Sequence, residues 1–253
     1  MSLSKISINN FRCFENVDLL LSPGINFFFG QNGSGKTSIL ESVFIFSSGK
    51  SFKSSNIASL INYEHKKFFL KGYDNIKGYI VEIEKNENKP ISVTLNNKKI
   101  TASRLTKEFP CTPIHNNTFS FADAPPDFRR KLLDRSIFIS EEGFSECWFS
   151  YYRSLKQRNS LLKNNRISDI YTWNVKLSDG GNKLNNMRRN FFNKTIEEFN
   201  YLTDLVKPNA VFDFLDVIEI KFFQGWQDDK SLDNVLQENQ NIDLKRKSTT
   251  QGP

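Results

Sequence analysis

The residues Gly30-Gln31-Asn32-Gly33-Ser34-Gly35-Lys36-Thr37 fill the pattern G-x-x-x-x-G-K-[ST] completely. Each type has a job in that pattern. Glycine lets the backbone wrap an anion with no Cβ in the way, and turns its N–H groups inward as donors. A helix starting at the end of such a stretch adds the unpaired N–H groups and positive dipole of its N-terminus. Lys36 is placed to reach the β- and γ-phosphates, and the Thr37 hydroxyl to ligate Mg²⁺. The sequence therefore predicts a nucleoside triphosphate site, for ATP with Mg²⁺. All eight residues are its nucleotide-binding set and Thr37 is its metal ligand.

Other residues carry open readings. Arg12 either approaches the nucleotide or is a surface arginine at a turn. Lys50 and Lys53 flank Phe52, a pattern that suits a phosphate backbone or an ordinary solvated loop. Arg129-Arg130 either contacts DNA or braces helices, with bracing preferred. Lys156, Arg158 and Lys163 are expected on a solvated helix face, and His115 has no evident role. No catalytic residue is assigned. ATP hydrolysis needs a carboxylate to place metal and water. Asp228-Asp229 follows a Gly-Trp-Gln turn, and Glu141-Glu142 falls between helices. Asp213, Asp216 and Glu219 lie in an apolar region without an apolar run leading to paired acids. Turnover by the isolated chain is not expected, though ATP binding is.

The elements around the loop follow from periodicity. Ser4–Asn9 and Val17–Leu21 read as strands, Pro23-Gly24 as a turn, and Ile25–Phe29 as a short buried strand running into Gly30. Thr37–Phe46 reads as a helix with Ile39, Leu40, Val43 and Phe44 on its apolar stripe. Phe68–Gly72, Tyr79–Glu84 and Ile91–Leu95 alternate as antiparallel strands, and Asn96-Asn97 suits a tight hairpin. Helices are predicted at Asp127–Ile139, Glu142–Leu162 and Ile170–Val206, the last with a break or bend at Gly180-Gly181. Pro208 ends that helix, Ala210–Phe223 is β-like, and Ser231–Gln237 is helical. The aromatic residues of the helical stripes are read as core.

The bulk numbers bound the class. With 253 residues, 38% hydrophobic and 25% charged, the chain supports one large or two modest globular domains. A net charge of +7 suits a polyanionic partner such as DNA, or reflects a coding sequence rich in A and T. Three scattered cysteines give no disulfide framework, and with two histidines they offer no zinc-site spacing. The sequence has neither an apolar signal core nor an 18-residue apolar run, so a cytoplasmic protein with no membrane partner is expected.

These motifs, in order, resemble a known family. Asn10-Phe11-Arg12, Pro23-Gly24-Ile25-Asn26, the phosphate loop and Leu40-Glu41 are similar to the opening of the SMC-like ABC ATPases. Pro126-Asp127-Phe128-Arg129-Arg130, Leu133-Asp134, Leu155-Lys156-Gln157-Arg158-Asn159, Gln224-Gly225-Trp226 and Gly252-Pro253 narrow the resemblance to the RecF family. It implies an α/β fold, an ABC/SMC-like ATPase head with an antiparallel β portion and a helical lobe insertion. The head would take residues 1–125, the lobe 126–207, and 208–253 would return to the head. It further implies ATP binding, ATP-dependent homodimerisation, and binding to single-stranded or gapped DNA. Recombination-mediator partners, slow ATP turnover, and roles in replication, recombinational repair and the SOS response complete the family picture.

Two departures qualify it. The family continues past Gly252-Pro253 into its signature sequence and acidic strand, so the expectation is a C-terminally truncated member. The stretch Ile114–Ala122 lacks the Pro and acidic residue usual around Asn116-Asn117. The alternatives left open are a remnant that binds ATP weakly without hydrolysis, and an SMC-like ATPase with another substrate.

Overall fold

Alternation of apolar and polar residues builds the N-terminal half. The computed structural model describes residues 3–114, 124–207 and 218–253. The chain folds as two units, Met1–Ala122 and Asp123–Pro253. In the first unit, β1 (Leu3–Phe11), β2 (Phe14–Leu20), β3 (Lys67–Asp74), β4 (Tyr79–Asn86), β5 (Ser92–Leu95) and β6 (Lys98–Lys99) form one antiparallel sheet. Its order is β2-β1-β3-β4-β5-β6. The register sets Ile8 opposite Leu70 and Leu70 opposite Ile83. The two-residue period then buries Ile6, Ile8, Phe68, Leu70, Val81 and Ile83 together. Burial of each such side chain contributes about 1.5–3 kcal/mol. Ion pairs ladder the strands elsewhere, with Lys5 on Asp18 at 3.0 Å and Lys71 on Glu82 at 2.8 Å. Asn96 and Asn97 take φ of 46° and 63°, which closes the β5–β6 hairpin as expected.

Two helices share that core: α1 (Lys36–Ser48) through Ile45 and Phe46, and α2 (Ala102–Glu108) through Leu105. The Thr106 hydroxyl of α2 donates to the Ser47 carbonyl at 2.9 Å. The sequence reading missed α2, whose start is marked only by Thr101 accepting from the Arg104 N–H. The predicted stripe of α1 is partly displaced: Leu40 is half exposed, while Glu41, Ile45 and Phe46 are buried. A larger correction falls on Ile25–Phe29. It forms no strand, and Ile25, Phe27 and Phe29 are 79%, 83% and 93% exposed. Among the described residues no strand lies beside this segment to take its backbone hydrogen bonds, so apolar composition alone does not bury it.

The second unit is helical: α3 (Pro126–Ser140), α4 (Phe144–Lys163), α5 (Ile170–Val206), α6 (Leu232–Glu238) and α7 (Gln240–Arg246). Pro126 opens α3, where its missing N–H has no intrahelical partner to lose. Ile137, Phe144, Tyr151, Leu177, Leu184, Trp226 and Leu232 form the core. The break expected at Gly180-Gly181 does not occur, because α5 runs unbroken through it. Both glycines are buried, Gly180 where α5 meets α4 and Gly181 where it also meets α6: a Cβ at Gly180 would lie 3.3 Å from Tyr151 Cα, and one at Gly181 would lie 2.5 Å from Leu232 Cδ2. Close packing there offsets the helix-propensity cost of glycine, about 1 kcal/mol each.

Arg158 is also corrected, from a solvated face to complete burial. It donates to Asn174, Asp243, Thr249 and the Leu236 carbonyl at 2.7–3.2 Å. Farther along α5 the apolar residues that recur at helical spacing are not core: Leu202 and Val206 are 57% and 48% exposed. Residues 218–223 form no strand, and the rest of the β-like stretch at 210–217 lies outside the described residues. The polar end of the chain holds the unexpected α7 and a buried Pro253, whose carbonyl accepts from the Tyr151 hydroxyl at 3.5 Å.

Candidate functional site

The phosphate loop takes backbone conformations that its glycines allow. Gly30, Gly33 and Gly35 have φ of 149°, 84° and 90°. At Gly35 a Cβ would lie 2.3 Å from the Phe14 ring and 3.0 Å from Cys13 Sγ, so the β1–β2 turn presses directly on the end of the loop. Gly35 is also the residue that caps α1, and it supplies no side-chain acceptor. The N–H groups of the first turn of α1 therefore keep their donors for an outside anion, with the helix dipole behind them.

Lys36 folds over the loop. Its ammonium donates to the carbonyls of Gly30 at 2.9 Å and Gln31 at 2.8 Å, using two of its three N–H groups. Ser34 N donates to the Gln31 carbonyl at 3.3 Å. Beside the loop lies a cleft of about 580 Å³ whose walls include Arg12, Asn32, Lys36, Thr37, Lys53 and Tyr63. Of the predicted nucleotide-binding residues, Asn32, Gly33, Gly35, Lys36 and Thr37 line this cleft. Gly30, Gln31 and Ser34 shape the loop behind it through the contacts just given. Among the described lining residues three are cationic and none is a carboxylate, a balance that suits a polyanion. Tyr63 is held protonated above the usual phenol range by its hydrogen bond with Glu64.

Arg12 stands at the cleft rather than on an unrelated surface. Its φ of 55° is left-handed, and its N–H donates to the Leu60 carbonyl at 2.7 Å. Its guanidinium makes a forked pair with Glu41, Nε to Oε2 at 2.9 Å and Nη2 to Oε1 at 3.0 Å. The Ser51 hydroxyl also donates to Glu41 Oε1. Sequence reasoning gave Glu41 and Ser51 no role. The available signal was an acid inside the apolar run Ile39–Phe46, which demands a cation nearby.

Of the remaining candidates, Lys53 reaches the cleft, while Lys50 is exposed and Phe52 meets Phe44 edge-on at 5.7 Å. Arg130 pairs with Asp127 at 3.2 Å. Asp134 receives both Arg188 Nε and Nη2 at 2.7 and 2.8 Å and the Trp148 indole at 3.2 Å, a brace the sequence did not reveal. Lys156 and Lys163 are exposed as expected. His115 and the segment through Ala122 lie outside the described residues. Among the described residues there is no group of three or more His, Cys, Asp or Glu side chains to hold a metal, and no helix long and apolar enough to cross a membrane.

Comparison with known proteins places these features in a wider set. The profile of the RecF/RecN/SMC N terminal domain family matches residues 2–191. The DNA replication and repair protein RecF of Pseudoalteromonas translucida is 32% identical over 269 aligned residues, covering all of this chain and 70% of the relative. Its counterpart in Francisella tularensis subsp. mediasiatica is 32% identical, again across the whole chain and 72% of the relative. Among solved structures, the recombination mediator protein RecF with ATP superposes with a TM-score of 0.76 at 21% identity. The match covers all of this chain and 70% of the other.

Proposed function

The chain belongs to the RecF family, within the RecF/RecN/SMC N terminal domain family, and on that premise we propose that it is an ATP-switched DNA-binding protein of replication and recombinational repair. The observation that carries this reading is the open N-terminus of α1, with Lys36, Arg12 and Lys53 around one cleft. The triphosphate lies along Gly30–Thr37, and Lys36 meets its β- and γ-phosphates. The Thr37 hydroxyl would hold Mg²⁺, whose charge would neutralise part of the phosphate tail. The solved relative described as RecF with ATP supports the choice of nucleotide.

Bound ATP favours a dimer whose joined surface holds single-stranded or gapped DNA, in keeping with the net charge of +7. The finer roles follow from the family: recombination-mediator partners, the SOS response and a cytoplasmic site of action. Among the described residues that line the cleft none is a carboxylate, and Glu41 is committed to Arg12 and Ser51.

DNA retention with and without Mg·ATP, across a salt series, tests the proposal. Retention that requires ATP and falls steeply as salt rises is the expected result. Retention that is indifferent to nucleotide contradicts it.

A further inference from the structure

Glu41 is 1% exposed, and a carboxylate that deep must be paired and hydrogen-bonded to be tolerated. Arg12 Nε and Nη2 and the Ser51 hydroxyl all donate to it. Ser51 Oγ in turn accepts from the N–H groups of Lys53 and Ser54, each at 2.9 Å. The turn that carries Lys53 is thus pinned to the carboxylate that holds Arg12. A guanidinium has five N–H donors, and the fork to Glu41 uses two. The arginine side chain stays 29% exposed and lines the cleft. Arg12 also keeps a left-handed backbone, costly for a residue with a Cβ, and its surroundings hold it there. One buried anion, on the helix that begins in the phosphate loop, therefore fixes two cations that come from different chain segments.

We propose that Glu41 is a positioning residue for nucleotide recognition. It aims Arg12 directly, and Lys53 through Ser51, at the terminal phosphate, so that the cleft discriminates a nucleoside triphosphate from a diphosphate. The inference rests on the triphosphate reading of the loop. A purely structural Glu41 would, on substitution, weaken both nucleotides alike. A positioning Glu41 changes their ratio.

The test is calorimetric titration of the full chain with Mg·ATP and with Mg·ADP, using wild type, Glu41→Gln and Ser51→Ala, with melting followed for each. Glu41→Gln keeps the shape but loses the charge that orients Arg12. Its ATP affinity is expected to fall about tenfold with ADP affinity little changed. Ser51→Ala leaves the Arg12 pair and frees only the turn of Lys53, so about threefold is expected, again for ATP alone. If Glu41→Gln does not fold, Ser51→Ala decides. ATP-to-ADP ratios equal to wild type in the folded variants overturn the proposal. Wild type that binds ADP and ATP equally also overturns it. Wild type that binds neither removes the loop assignment itself, and the inference with it.

Discussion

Arg12 in the N-terminal unit and Arg158 in the C-terminal unit both form an ion pair with a buried carboxylate, yet they serve opposite ends. Arg158 and its partner Asp243 are 0% and 1% exposed, and its donors go to Asn174, Asp243, Thr249 and Leu236 inside the helical core. Asp243 is further bound by the N–H and hydroxyl of Thr250. Arg12 gives Glu41 a fork and keeps the rest of its guanidinium at a cleft. An arginine with its donors spent inward specifies a fold. One with donors left over at a concave surface is set up for a ligand.

Four substitutions bear on that contrast. The largest expected effect is on Arg158→Ala, which strands Asp243 as an uncompensated buried charge and should destabilise the C-terminal unit by about 3–5 kcal/mol. All three tryptophans, Trp148, Trp173 and Trp226, lie in that unit, so denaturant unfolding followed by tryptophan fluorescence reads it alone. A change within about 1 kcal/mol, itself the effect of an average substitution, would make Arg158 no more than an ordinary residue. Next comes Gly35→Ala, which puts a Cβ into Phe14 at a left-handed position. The N-terminal unit should lose about 1–3 kcal/mol in circular-dichroism melts, with nucleotide binding weakened as well.

Arg12→Lys keeps the charge but not the fork, and should lower ATP affinity about tenfold with a smaller effect on stability. If Arg12→Lys instead costs mainly stability, the contrast between the two arginines fails. The smallest effect concerns Tyr151, where burial pushes the phenol well above its ordinary value. The folded state thus disfavours its ionisation. Stability from this group is intact below pH 10.0 and declines as pH rises beyond it, when the unfolded chain can ionise and the folded one resists. Tyr151→Phe should flatten that decline in the tryptophan-monitored transition.

The sequence revealed what repeats along the chain or depends on residue type alone. Strict alternation located β3 and β4, Pro125-Pro126 marked the start of α3, apolar spacing located α4 and α5, and Asn96-Asn97 located a hairpin. The loop Gly30–Thr37 stood out in the sequence because a phosphate cradle demands fixed types at fixed spacing. Pairing across long separations was not. Nothing local marks Arg12 with Glu41, Asp134 with Arg188, or Arg158 with Asp243. Gly180-Gly181 misled because a helix breaker and a close-contact residue are the same amino acid, and only the neighbour at Tyr151 tells them apart. Ile25–Phe29 misled because a strand is defined by its partners as well as by its residues.

The central claim is that the loop and the helix it opens grip a triphosphate through Lys36. Equilibrium binding of Mg·ATP to wild type and to Lys36→Ala tests it most directly. Wild type should bind saturably and the variant should lose about ten- to hundredfold in affinity, with the melt of the chain preserved. Equal affinity in the two proteins would contradict it.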